Sequence, residues 1–365
     1  MRGPGVTEVR HEELVDVAAP ETGAMRRPAT MVDVAETAGV SLKTVSRVIN
    51  GGENVRPRMR ERVEAAIRAL NYHPSLAARQ LSGQRSYILT LIAPRAGVSY
   101  VARMMVAIAT EAQARGYHVM TELIETSGSN VLERLAESPS ARSDAYILMP
   151  PFQDDPALLA RLAAEGTPAV RIAGISEGYG VKVEIDDAPA AEQVVDHLLE
   201  LGHRRIGMVG PPLPRRAAET RVDGYMRALG RAGIEIDPDL VVRGSDLYFG
   251  AGANAALELL ALTNKPTAIF AASDELALGV MVQAQRLGYS IPGDLALAGF
   301  DDSPMSRMVF PALTTVHQRI REIARVAVET ALSGVVPADA DLSARLLVRG
   351  STTGDRSLCL EPFQF

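Results

Sequence analysis

The sequence predicts an α/β protein in which a small all-α head precedes a larger doubly wound body. Three observations predict it. Between residues 30 and 70, apolar residues recur at helical spacing in three short runs punctuated by Gly and Pro. From Ser86 onward, near-continuous apolar runs such as YILTLIA and TAIFAAS alternate with amphipathic ones, the mark of parallel strands covered on both faces by helices. Charge is also divided: residues 26–86 hold 11 Lys+Arg against 5 Asp+Glu, a net of +6, whereas the chain as a whole carries −6, leaving −12 elsewhere. A basic head on an acidic body is what a polyanion-binding segment would show, because phosphate contacts need local positive potential whatever the total charge.

Bulk composition sets the limits. At 365 residues the chain exceeds one comfortable core, so two or three domains are expected. A hydrophobic content of 47% and a charged content of 22% fit a folded globular protein. The single cysteine, Cys359, excludes an intramolecular disulfide and any multi-thiolate metal site, and points to a reducing compartment. No apolar run approaches the roughly 20 residues of a membrane helix. The first residues, MRGPGVTEVRHEELVDVAAPETG, carry acids where a secretory leader needs a basic start and apolar core, so cytoplasmic residence and no membrane partner are expected. Residues 1–25 lack periodicity and read as a loose tail, or as sequence ahead of a start at Met25 or Met31.

The head, residues 26–72, builds from capping signals. Thr30 and Asp33 form a capping-box opening for MVDVAETA, which Gly39 stops. Ser41 caps LKTVSRVIN, whose Val45, Val48 and Ile49 form one stripe while Leu42, Lys43, Ser46 and Arg47 lie away from it. Pro57 opens a third helix, with Met59, Val63, Ala66, Ile67 and Leu70 at core spacing. Two short helices about a tight Gly-containing turn outline a helix-turn-helix. The hydroxyls of Ser41, Thr44 and Ser46, with the cations Lys43 and Arg47, are groups that reach phosphate oxygens and base edges. A merely solvated basic face is the alternative.

Residues 71–83, NYHPSLAARQLSG, follow, with Pro74 ending one helix and Ser75 placed to cap another whose Leu76, Ala77, Ala78 and Leu81 have no evident core. TMVDVAETAGVSLKTVSRVINGG followed by VRPRMRERVEAAIRALNYHPSLAARQL resembles, in register, the DNA-binding head and hinge of the lactose-repressor (LacI/GalR) family. The resemblance implies that the second helix enters the major groove of double-stranded operator DNA with Leu42, Lys43 and Arg47 at base-reading positions. It also implies DNA contacts from Thr30, Asn50, Tyr72 and Ala78, and a hinge helix within residues 73–86 that folds on DNA and wedges Leu81 into the minor groove. An isolated helix that short is marginal in water, which agrees. Leu42 departs from the polar residue many members carry and can meet a thymine methyl without reading a hydrogen-bond pattern.

Eight strands are expected in the body, residues 87–356: YILTLIA, YHVMTELI, DAYILMP, AVRIA, VKVEI, RRIGMVG, TAIFAAS and LALAGF, enough for two lobes. Segments from VEIDDAPAAEQVVDHLLELG to PALTTVHQ resemble the family's ligand-binding domain, implying a two-lobed, periplasmic-binding-protein-like (type I) body with a small-molecule effector between the lobes. Ligands of open parallel sheets sit beyond the carboxyl ends of strands, which independently selects Ser99 and Tyr100, Ser273 with Asp274, and Asp301. The resemblance adds Arg221, in the loop-to-helix segment ETRVDGY, as the ligand-contacting arginine, with Asp301 the ligand-contacting aspartate; an interlobe ion pair is the alternative for these two. Leu247 stands where relatives place an aromatic ring, and Ser273 where many have Asn, so stacking would fall to Tyr100, Tyr248 or Phe249. Residues 357–365 read as a tail.

Other motifs carry less. GISEG, residues 174–178, satisfies G-x-S-x-G, but a strand follows it where a nucleophile elbow needs a helix, so Ser176 reads as a loop residue. The pairs Asp154 and Asp155, Asp186 and Asp187, and Asp301 and Asp302 read as solvated or capping carboxylates. His197 and His203 lack a third ligand at metal spacing, and there is no Walker loop or G-x-G-x-x-G, so no metal or cofactor is expected. The expected function is a ligand-responsive, sequence-specific transcriptional regulator, a repressor acting as a homodimer or higher oligomer, with a sugar as effector and no enzymatic step. A cytoplasmic sugar-binding module without DNA-binding function is the alternative.

Overall fold

The structure is a computed structural model that describes residues 27, 29–49, 55–72, 85–95, 99–125, 131–137, 143–211 and 216–355. The chain separates into two compact units, one ending at Gly83 and the other beginning at Gln84.

The first unit holds α1 (Met31–Ala38), α2 (Leu42–Ile49) and α3 (Pro57–Ala69). Thr30 caps α1 through the expected reciprocal box: its hydroxyl accepts from the Asp33 N–H at 3.3 Å, and the Asp33 carboxylate accepts from the Thr30 N–H at 2.7 Å. Gly39 ends α1 in the left-handed region at φ 60°, and Ser41 Oγ accepts from the Thr44 N–H at 3.2 Å to start α2. Val34, Val45, Val48, Val63 and Ala66 close a small core between the three helices. Met59, expected among them, is exposed instead, because the first turn of α3 overhangs that core. Tyr72 moves the other way: expected at the DNA surface, it is 5% exposed and its ring completes the core.

The second unit contains all eight expected strands; β1 is shifted by one residue and the others are shorter than expected. In the first lobe β1 (Ile88–Pro94), β2 (His118–Ile124), β3 (Ala145–Leu148), β4 (Ala169–Ile172) and β5 (Val181–Val183) form a parallel sheet in the order β2-β1-β3-β4-β5. Alternate residues of β1 serve its two faces. Leu89, Leu91 and Ala93 join a core with α4 (Tyr100–Ala114), while Ile92 joins another with α5 (Val131–Glu137) and α6 (Pro156–Glu165). In the second lobe β6 (Ile206–Gly210), β7 (Val241–Arg243), β8 (Ala268–Ala271) and β9 (Ala296–Ala298) are parallel in the order β7-β6-β8-β9. Helices α7 (Ala188–Glu200) and α8 (Arg216–Arg231) pack as one pair, α9 (Phe249–Ala261) and α10 (Asp274–Arg286) as another.

The polypeptide passes between lobes three times. It leaves β5 for α7 through residues 184–187. After the short helix α11 (Met305–Met308) and β10 (Thr315–His317) it returns through residues 318–319 to α12 (Ile320–Ser333), whose Ile323, Val326 and Ala327 belong to the first lobe's core. It then crosses again to β11 (Arg345–Leu347), which pairs antiparallel with β10, and to α13 (Gly350–Thr353). Strand order reverses between β1 and β3 and between β6 and β8, the switch points at which open parallel sheets present a crevice.

Helices α9 and α10 touch backbone to backbone. A Cβ on Gly279 would lie well inside van der Waals contact distance of the Phe249 carbonyl oxygen, and one on Gly252 equally close to the Leu276 carbonyl oxygen. This approach sets the start of α10 beside the turn before α9, so that Ser273 Oγ reaches the Leu247 carbonyl at 3.0 Å. Gly279→Ala is therefore expected to force the helices apart and destabilise the body by about 1–3 kcal/mol. Urea unfolding of the two proteins checks this; an unchanged midpoint would mean that the helices part without cost.

Candidate functional site

On the head, the buried stripe of α2 fixes what its other side presents. Val45 and Val48 face inward, which leaves Leu42, Lys43 and Arg47 exposed, Leu42 to 46%. Ser41 and Thr44 are partly engaged with each other, their hydroxyl oxygens 2.9 Å apart. Lys43 and Arg47 are one turn apart and so share a face. Thr30 is exposed, its hydroxyl donating to Asp33 at 2.7 Å. Asn50, Ala78 and Leu81 lie outside the described residues, as does the hinge segment 73–84.

In the body, a cavity of about 590 Å³ opens between the carboxyl ends of the two sheets. All six expected effector positions line it: Ser99, Tyr100, Arg221, Leu247, Ser273 and Asp301. The local structure at several differs from expectation. Arg221 lies inside α8 and not at a loop-to-helix junction. Ser273 is the cap of α10, its hydroxyl accepting from Leu276 N at 3.1 Å while donating to Leu247, so much of its bonding capacity is already used. Tyr100 and Tyr248 line the cavity, whereas Phe249 is 47% exposed on the outer surface.

The cleft is organised by a buried charge cluster. Arg221 Nε donates to Asp187 Oδ2 at 2.9 Å, Nη1 donates to the Ala272 carbonyl, and Nη2 lies 3.4 Å from Asp301 Oδ1. The guanidinium carbon sits 3.9 Å from the centroid of the Phe300 ring. Gln318 Nε2, from the second crossing, donates to Asp301 Oδ1 at 3.0 Å. Burial works against the charge on Arg221, but the adjacent Asp187 and Asp301 outweigh it and hold the cation. For Asp301 burial is the larger influence. It pushes the carboxyl up to about 8, opposed by Arg221 and reinforced by Asp274 and Asp187.

Asp302 has the opposite fate. Burial pushes it up, yet hydrogen bonds from His317, Arg307 and Arg349 overcome this and hold it far below the usual carboxylate range. The expectation of solvated or capping pairs thus fails for four of the six acids. Asp154 is bound to the fully buried Arg171, Asp187 to Arg221, and Asp301 and Asp302 sit in these clusters. The reason is that crossing segments and strand ends bury them beside arginines distant in sequence. Asp155 and Asp186 do cap: Asp155 Oδ1 accepts from Leu158 N at 2.8 Å, and Asp186 Oδ1 from Ala188 N at 3.0 Å. Ser176 is indeed in a loop, donating to Asp154 Oδ1 at 2.9 Å and accepting from Arg171 at 2.9 Å. Among the described residues no His, Cys, Asp and Glu group is arranged to hold a metal ion.

Sequence reasoning missed Gln153, Asp187 and Gln318 as cleft residues. Asp187 and Gln318 stand at crossings, and only the end of VKVEI and the start of the following helix pointed toward one of them.

Comparison with known proteins agrees with this geometry. Residues 195–352 match the periplasmic binding protein-like domain, and residues 30–75 match the bacterial regulatory proteins of the lacI family. Catabolite control protein A of Priestia megaterium is 33% identical over 300 residues, 82% of this chain and 90% of that protein. The chain belongs to the LacI family. The lactose operon repressor of Escherichia coli is 30% identical over 307 residues, 84% of each protein. A crystal structure of the lac repressor dimer bound to operator and the anti-inducer ONPF matches with a TM-score of 0.73 at 29% identity, covering 89% of this chain and 99% of that one. As a LacI-family member the protein is a ligand-responsive, DNA-binding regulator of transcription. No helix among the described residues is long and apolar enough to cross a membrane.

The Asp301 environment carries a pH signature. A carboxyl raised in the folded state from 3.8 to about 8 keeps its proton where the unfolded chain has released it, so its contribution is full below pH 4 and is lost as pH rises through 8. Asp274, pushed up to about 6 chiefly by burial, acts in the same direction over a shorter window. His197 and His203 are lowered first by burial and act in the opposite sense below about 6.5. The thermal midpoint should therefore fall between pH 6.5 and 8, and Asp301→Asn should flatten that interval. Parallel curves for the two proteins would assign the slope elsewhere.

Proposed function

We propose that this LacI-family regulator is a cytoplasmic repressor that acts as at least a dimer and is switched by a sugar bound between the lobes of its body. The observation that carries the reading is the presence, in one chain, of an exposed cationic helix face on a three-helix head and a cleft walled by the Arg221, Asp187 and Asp301 cluster. A guanidinium fork and carboxylates supply the donors and acceptors that a polyol needs. The lac repressor structure, a dimer on operator with a small ligand, supports the same division of labour.

In this reading residues 26–72 form the DNA-binding domain, 73–86 the hinge and 87–356 the effector-binding and dimerisation domain. Lys43 and Arg47 read base edges, Leu42 meets a thymine methyl, and Thr30, Ser41, Thr44 and Ser46 position the helix on phosphates. One helix per half-site needs a twofold partner for adequate affinity. Met305, Met308 and Phe310 are exposed apolar side chains that a second copy would cover. An effector that binds one lobe arrangement more tightly shifts the population toward it, and with it the capacity of paired hinge segments to form on the operator. Effector and operator then alter each other's affinity reciprocally. No catalytic step is assigned: the lining of the cleft contains no histidine to activate Ser176.

Arg47→Ala should weaken binding to a footprinted operator about 10- to 100-fold, the value of one bidentate base contact, and leave the effector site intact. Unchanged operator selectivity would remove α2 from base recognition. Asp301→Ala should bind the operator as the parent does and no longer respond to the sugar that shifts the parent. A response retained in that variant would place the effector elsewhere.

A further inference from the structure

The cleft contains information about the charge of what it binds. Among the described residues, seven of those lining it are carboxylic acids and one, Arg221, is a cation. That cation is already committed, its three nitrogens directed at Asp187, Asp301 and the Ala272 carbonyl. The neighbouring guanidiniums are engaged as well, except that Arg171 Nη1 is a buried donor without a partner. Arg171 is bound to Asp154 and the Ser176 carbonyl, and Arg103 donates to the carbonyls of Asp301 and Asp302 at 3.0 and 3.1 Å. Even with Asp301 holding its proton up to about pH 8, an anionic group entering here would meet more carboxylates than cations among the described lining residues, at a cost that low local polarity magnifies.

A second observation, independent of the charge count, concerns hydrogen bonding. Two side chains that line the cavity hold buried acceptor oxygens without a protein donor: Gln153 Oε1 and Asp187 Oδ1. Gln153 is 3% exposed and Asp187 5%. Gln153 follows β3 in the first lobe and Asp187 closes the first crossing, so the two acceptors belong to different walls. The hydroxyls of Ser99 and Ser303 are also buried and unpartnered at the rim. Buried acceptors left unpaired are destabilising, and a ligand that donates to them recovers that loss. Met149, Leu159 and Ile185 provide apolar lining.

We infer that the effector is a polyol bearing hydroxyl or amine donors and no negative charge, a free sugar or amino sugar, and that the cleft rejects the phosphorylated and carboxylate forms of the same compound. This rests on the reading of the cleft as the effector site. Donors at both ends of the ligand satisfy Gln153 and Asp187, and joining opposite walls in this way ties ligand binding to lobe closure.

The test is a thermal-shift and titration series on the full chain with free mono- and disaccharides, the matching 2-amino sugars, the sugar 6-phosphates and the uronates. At least one free or amino sugar should raise the midpoint, and its phosphate and uronate should not. Gln153→Met, which keeps the volume and removes the acceptor, should bind that sugar about five- to tenfold more weakly. Binding of a phosphate or uronate as tight as its parent overturns the inference, as does a series in which no free or amino sugar binds. Operator affinity measured alongside separates the two readings. A phosphorylated sugar that shifts operator affinity sinks the charge inference and leaves the regulator intact. A free sugar that binds without shifting operator affinity leaves the charge inference and sinks the switch.

Discussion

A guanidinium held out of water beside two carboxylates is the constraint on which the body depends. Arg221 and Asp187 are each nearly inaccessible, and burying such charges is tolerable only with good geometry and mutual pairing. The groups around that guanidinium come from the first crossing, the end of β8, the end of β9 and, through Gln318, the second crossing. Each therefore enforces the position of the others. Such a cluster contributes less to net stability than to uniqueness: replacing its arginine would leave two buried acids uncompensated, at a cost of about 3–5 kcal/mol. A cleft floor built this way keeps its donors and acceptors aimed before any ligand arrives, which lowers the ordering cost of binding.

The turn that follows β9 shows how strain is accommodated at the same place. Asp301 and Asp302 have φ of 111° and 47°, a region that residues with a Cβ avoid. Their carbonyls accept from Arg103 of the opposite lobe, and the Asp302 side chain is gripped by His317, Arg307 and Arg349. Ser99 N donates to Glu275 Oε1 at 3.0 Å across the same gap. The start of α4 is thus bonded to both the strained turn and the start of α10. Lobe separation would release these contacts together.

Much of this was legible in the residues, for identifiable reasons. The helices of the head follow from local chemistry that needs no tertiary context: Thr30 with Asp33, Gly39, Ser41 and Pro57 each punctuate the chain by themselves. The eight strands of near-continuous apolar sequence announced themselves likewise. Strands β7, β10 and β11 did not, because all but Thr315 and Val316 of their nine residues are only partly buried or exposed, so they form no near-continuous apolar run. Asp301 and Ser273 could be selected because a strand precedes each. Asp187 and Gln318 could not, since their place in the cleft is created by chain crossings that no local pattern encodes, whereas Gln153 follows β3 and was within reach of the same rule. Tyr72 and Phe249 exchanged expected surroundings for the same reason: an aromatic ring reads alike in sequence whether a core or a surface receives it.

The route of the chain has a consequence for synthesis. The first lobe's sheet is complete at Val183, yet its core lacks Ile323, Val326 and Ala327 of α12 until the ribosome has passed all of the second lobe but β11 and α13. At about 5–20 residues per second that interval lasts on the order of ten seconds. During it, one apolar face of an almost finished sheet is covered by α4 alone. The nascent polypeptide therefore gains from shielding in the meantime, because the lobe translated first cannot close its core until most of the other has been made.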